Sequence, residues 1–150
     1  MDVAALLMES QPSVLDEAYS EIERSHVRHY EAAGESFTRH GLADLFGLVV
    51  SSINDRDLAE MSLYAEEVAT KRFDQGFDIS EVQAAFNALE LAMWRRVVAA
   101  CPPDELAEAV GLLTTVLGFG KDALARKYVS LSCERHVPSL DLSALFGGVE

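Results

Sequence analysis

Two cysteines, four prolines and nine glycines among 150 residues rule out several protein classes. Cys101 and Cys133 lie far apart, with no CxxC pattern, so neither a disulfide framework nor a complete thiolate metal site is encoded. Both read as reduced, structural thiols. Sparse proline and glycine argue against a turn-rich β architecture and against disorder. Positive charge is scarce as well: 12 Lys and Arg stand against 25 Asp and Glu, a formal charge of −13. That balance repels phosphate backbones and anionic membrane surfaces. The densest basic runs, Arg95-Arg96 and Lys121 with Arg126-Lys127, read as solvated helix faces, so no nucleic-acid partner is expected. Long apolar runs are also missing. The first twelve residues have no basic leader and are interrupted by Glu9, which fits neither a secretory signal nor a membrane-spanning helix. No membrane association and a cytoplasmic location are the expectation.

What the chain does have is apolar periodicity, with 49% hydrophobic residues in a length suited to one domain. Between Ser13 and Gly34, Leu15, Ala18, Tyr19, Ile22, His26, Tyr30 and Ala33 recur every third or fourth position, the period of an amphipathic helix. Pro12-Ser13 would open it and Gly34 close it. Leu42, Leu45, Phe46, Val49 and Ile53 repeat the pattern from Ser36 to Asn54, with Gly41 as a candidate break. Asp57–Glu60 and Asp78–Glu81 each have the form of a capping box. The first predicts a helix stopping near Gly76; the second predicts one carrying Val82, Phe86, Leu89, Met93 and Val97. Pro102-Pro103-Asp104-Glu105 then ends one helix and opens the last.

That last helix carries Leu106, Val110, Leu113, Leu117, Leu124, Tyr128 and Leu131 at near-heptad spacing, beside a second row of Leu112, Val116, Phe119 and Ala123. Two rows let one helix face its own core and a partner. Leu106, Val110, Leu113, Leu117 and Leu124 are accordingly the expected interface of a homodimer. Pro138 is expected to break the helix after His136, leaving residues 137–150 as a tail beside a helical domain of residues 1–136. Leu140, Leu142, Leu145 and Phe146 should pack that tail back on the domain, since each would forfeit roughly 1.5–3 kcal/mol in water. The expected fold is an all-α, single-domain bundle of five to six helices.

No reactive constellation is complete. Glu23 and His26 have the spacing used by helical di-iron bundles, which need a second such pair, and none exists. His26 and His29 could share a divalent ion but lack a third ligand; the alternative is a core-edge role with ring nitrogens bonded to backbone or water. Gly118-Phe119-Gly120-Lys121 departs from a phosphate loop at Thr115 and Asp122 and lies within a helical pattern. Its glycines read instead as points of close helix approach. No Ser or Cys nucleophile has a His and an acid in a local signature, so the chain is expected to be no enzyme and to carry no metal or cofactor. Phe86, Trp94 and Phe119, with Asn87 as the polar group at their edge, are the candidate lining of an apolar pocket between helices. Such a pocket would make the chain a small-molecule carrier or receptor, the alternative to a regulatory module.

The stretch from Leu63 to Val82 combines a helix rich in Ala, Glu and Arg, the Gly76-Phe77 turn and Glu81-Val82. With Ala85-Phe86 and the Ala92-Met93-Trp94-Arg95 end, it resembles the N-terminal sensory domain of RsbT co-antagonist proteins of the RsbRD type. The close resemblance covers about half of the chain, and the flanking helices agree in kind. It implies a compact, globin-like helical fold without haem, dimer formation, and a role feeding a signal into a stress-response phosphorylation switch. Members usually continue into an output domain and this chain departs from them there; a stand-alone version is expected to act in trans as a small regulator or to have another role entirely. The resemblance supplies no catalytic residues.

Overall fold

The computed structural model describes residues 1–140, with side chains to residue 135. Seven helices follow one another: α1 (Val3–Glu9), α2 (Gln11–Arg24), α3 (Arg28–Ala33), α4 (Glu35–Asp55), α5 (Ala59–Asp74), α6 (Ile79–Ala100) and α7 (Leu106–Leu140), with no strand among the described residues. The all-α single bundle agrees with the sequence reading; the count of five to six does not. Part of the difference lies in the first twelve residues. Asp2 accepts a hydrogen bond from the Ala5 N–H at 3.1 Å, capping a short helix that buries Val3, Ala4, Leu6 and Leu7.

The rest of the difference is a break inside the expected Ser13–Gly34 helix. The Ser25 N–H and Oγ both donate to the Glu21 carbonyl, closing α2. His26 then takes a left-handed conformation at φ 49°, which costs a non-glycine residue roughly 1–2 kcal/mol, and Val27 is extended. Gly41, by contrast, breaks nothing, because α4 runs through it. Its missing side chain leaves room for Arg72, whose Nη2 would stand 3.4 Å from an added Cβ. The two capping signals also differ in outcome. At Asp78–Glu81 both halves of the box form. Asp57 accepts from the Ala59 N–H at 3.0 Å, but α5 starts at Ala59 without a side-chain cap from its own N-cap residue.

The core is shared by every long helix. Phe46 of α4, Met61 of α5, Leu89 and Met93 of α6, and Leu113, Leu117 and Leu124 of α7 are fully buried. α7 packs along α5 and α6, α2 lies on α6, and α4 touches every other helix. Gly120 marks the tightest crossing: an added Cβ would stand 2.8 Å from Met61 Sδ and 3.3 Å from Phe86 Cε2. Polar pins fix the periphery. Arg96 of α6 donates from Nε to Ser10 Oγ at 2.6 Å, holding the α1–α2 corner. Lys121 of α7 reaches Glu90 at 2.8 Å and Asn87 at 3.1 Å on α6.

Two expectations about α7 need correction. Leu113, Leu117 and Leu124, placed in a dimer interface from their heptad spacing, are 0% exposed within a single chain, and Leu106 and Val110 pack partly buried against the same core. A heptad row names a sticky face without naming its neighbour, and this one faces inward. Nor does Pro138 end the helix, which continues to Leu140. Near a helix terminus the lost N–H of proline removes a single hydrogen bond. The tail packing expected of Leu142, Leu145 and Phe146 lies outside the described residues. No described helix is long and apolar enough to cross a membrane.

Candidate functional site

The turn between α5 and α6 lies against an aromatic cluster of His29, Tyr30, Phe37 and Phe77. Arg72, in the last turn of α5, lays its guanidinium over three rings: Cζ is 4.5 Å from the Phe37 centroid, 5.4 Å from Phe77 and 5.9 Å from Tyr30. Phe77 meets Tyr30 edge-on with centroids 4.8 Å apart, and His29 leans on its other side at 5.1 Å. Desolvated cation–ring contacts of this kind contribute about 0.5–2 kcal/mol each. Arg72 Nη1 donates to Gln75 at 3.1 Å. Its buried Nε has no hydrogen-bond partner among the described residues, and it borders a cavity of about 20 Å³ between Tyr30, Thr38, Tyr64 and Phe86. That volume suits one water molecule and no larger ligand.

Glu81 closes the turn. One carboxylate oxygen accepts the Asp78 N–H at 2.9 Å and meets His29 Nδ1 at 2.6 Å; the other accepts the His29 N–H at 2.8 Å. Burial pushes this carboxyl up, but the hydrogen bonds from His29 and Asp78 outweigh it and hold the group below its ordinary range. Asp78 is likewise held low, chiefly by the Ser80 hydroxyl and N–H. Burial drives the Tyr30 and Tyr64 hydroxyls up. The Tyr128 hydroxyl, pushed up to about 12 by burial, donates to the Phe77 carbonyl at 3.2 Å and so ties α7 to the turn.

The histidine alternatives can now be placed. His29 occupies the core-edge position, with its ring bonded to a carboxylate. His26 sits at the α2–α3 break, 78% exposed, 3.5 Å from Glu31. Among the described residues no three His, Cys, Asp or Glu side chains come together as metal ligands. Arg72, Phe37 and the His29–Glu81 pair were missed by reading along the chain; the capping box was the one local signal that pointed to Glu81.

The four candidate pocket residues are not brought together. Phe86 is buried against the small cavity beside Arg72. Asn87 lies on the surface, bonded to Lys121, at the edge of an open groove of about 250 Å³ beside α2. Trp94 and Phe119 project outward at 41% and 38% exposure. Among the described residues these four side chains therefore do not line one common pocket. Of the two glycines in Gly118-Phe119-Gly120, only Gly120 makes a close approach; a Cβ on Gly118 would meet nothing within 4 Å.

One family profile, described as the RsbT co-antagonist protein rsbRD N-terminal domain, matches residues 12–132. No curated protein and no solved structure matches the chain. The matched span runs from α2 through most of α7 and includes the whole turn cluster; α1 falls outside it. The chain therefore belongs to the RsbT co-antagonist protein rsbRD N-terminal domain family, which is associated with stress-response signalling.

Proposed function

We propose that this chain is a cytoplasmic regulatory or sensor module that acts by protein–protein contact in stress-response signalling, works as a homodimer, and catalyses no reaction. The family match over residues 12–132 carries this reading. The geometry supports it, because the polar groups that gather in the fold are engaged in holding helices together: Glu81 joins α6 to α3, Arg72 binds the aromatic rings, and Lys121 bridges α6 and α7. The reading includes the globin-like arrangement without haem that the resemblance implies, and the lack of a histidine on α6 to serve as an axial ligand supports the haem-free part.

Because Leu113, Leu117 and Leu124 are inside the chain, the homodimer forms through another face. Light scattering should give twice the 16.4 kDa chain mass at micromolar concentration. The signalling role is tested by deleting the coding sequence in its source cell and following stress-induced transcripts and phosphoproteins. A changed threshold or amplitude supports the reading; an identical stress response overturns it.

A further inference from the structure

Where the end of α4 and the start of α5 lie beside the first turns of α7, an apolar groove of about 380 Å³ opens to solvent. Leu58, Leu112 and Val116 supply its apolar lining, and the exposed Gly111 and Thr115 continue it along α7. A Cβ on Gly111 would meet nothing within 4 Å, so the chain's own packing gives no reason for a helix-weakening glycine there. Its missing side chain does keep the groove open. The volume is more than twice that of an apolar cavity able to hold benzene, about 150 Å³, and falls within the range of small-molecule sites.

Ser52 borders this groove at 3% exposure, and its Oγ has no hydrogen-bond partner among the described residues. Nearby helical hydroxyls behave differently. Ser51 Oγ donates to the Leu48 carbonyl at 3.1 Å and Thr114 Oγ1 to the Val110 carbonyl at 2.9 Å, the usual way for such a group to satisfy itself within a helix. A buried hydroxyl without any bond is uncommon, and this one adjoins space that a ligand fits. The groove's charges cancel. Arg56 and Glu108, paired at 3.2 Å, border both the groove and a polar recess of about 360 Å³ that Asp2, Asn54 and Glu105 line. A charged ligand would have to leave water for an apolar surface and break this pair to find a counter-ion. The chain's net charge of −13 disfavours an anion further.

We propose that this groove binds a small, uncharged, largely apolar molecule carrying one hydroxyl-type polar group. Its apolar body lies against Leu58, Leu112 and Val116, and its polar group bonds to Ser52 Oγ. None of Phe86, Asn87, Trp94 and Phe119 lines this site. Binding here needs neither the homodimer nor the signalling role proposed above, and it supplies something for a sensor to sense.

The probe is 2-naphthol, two fused rings with one hydroxyl, compared with naphthalene and with 2-naphthoate. Calorimetric and NMR titrations at neutral pH should show one saturable 2-naphthol site per chain, with amide shifts centred on Ser52, Leu58, Leu112 and Val116. The charged 2-naphthoate should bind about ten-fold more weakly or worse. Ser52→Ala should weaken 2-naphthol about five-fold and leave naphthalene unchanged, because only the naphthol has a hydroxyl to lose its partner. Gly111→Leu should fill the groove and abolish binding of both, while the melting temperature holds or rises with the better helix former. No saturable binding of 2-naphthol to the wild type would overturn the site. Binding that survives Gly111→Leu in a folded protein would overturn its placement in this groove. Equal losses of 2-naphthol and naphthalene in Ser52→Ala would overturn the role of the hydroxyl, and tighter binding of 2-naphthoate would overturn the uncharged class.

Discussion

A methyl group added to Gly120 would stand 2.8 Å from the sulfur of Met61, so α7 crosses α5 with its backbone directly against a fully buried side chain. Gly120→Ala must displace Met61 and press on Phe86, at a cost of about 1–3 kcal/mol from overpacking. Gly47 provides the control. It lies exposed in the middle of α4 with nothing within 4 Å of an added Cβ, so Gly47→Ala should stabilise by about 0.5–1 kcal/mol through helix propensity alone. Urea denaturation of the two variants should show midpoints moving in opposite directions.

Leu113 and Leu117 belong to the core of one chain, not to a contact between chains. Leu113→Ala and Leu117→Ala should each cost about 2–5 kcal/mol and leave the native mass by light scattering unchanged. Dissociation without loss of stability would contradict this placement.

Tyr128 should contribute to the alkaline limb of stability, alongside the likewise raised Tyr30 and Tyr64. Its hydroxyl is held protonated in the fold, with the ordinary value of 10.0 raised to about 12. Its contribution is therefore complete below pH 10 and lost as pH rises towards 12. Tyr128→Phe removes the bond to the Phe77 carbonyl and should cost about 1–2 kcal/mol at neutral pH, with a flatter decline in alkali. Melting temperature followed against pH measures both effects.

Glu81, together with Asp78, contributes to the acid limb with the opposite sign. Its carboxyl is held below the ordinary 4.5, so its contribution is present above pH 4.5 and disappears as pH falls through the lower folded value. Glu81→Gln should be less stable at neutral pH and less sensitive to acid below pH 4.5. Urea midpoints at neutral and acid pH compare the two proteins.

Arg72→Lys keeps the charge but loses the flat guanidinium that lies 4.5 Å over Phe37. A point charge on a flexible stem cannot reproduce that contact, and a loss of about 1 kcal/mol in thermal or urea denaturation is the expected result.

Local signals were the legible ones. The Asp78–Glu81 box is written in four consecutive residues, and the fold forms it complete. The break at His26 was hidden because Ile22, His26 and Tyr30 keep helical spacing across it and neither glycine nor proline marks it. The pocket failed for an angular reason. Trp94 is eight residues beyond Phe86 and so turned by about 80° around α6, and Asn87 is turned by about 100°. When Phe86 faces the core, those two face elsewhere. On α7 the two apolar rows were both visible, but which one met the core depended on where α5 and α6 lie, a long-range fact that no spacing along one helix contains. Arg72 was invisible for the same reason, since Phe37 and Tyr30 reach it from distant parts of the chain.

The Gly120 crossing also makes α7 a lever. Leu140 stands about 30 Å further along the helix at about 1.5 Å per residue, so each degree of tilt about that crossing swings the far end by about half an ångström. The Tyr128 bond to Phe77 and the seating of Arg135 over Phe73 at 4.7 Å resist such a swing. A repacking of Met61 or Phe86 too small to notice where it happens would arrive at the tip of α7 as a movement large enough for a neighbour to feel.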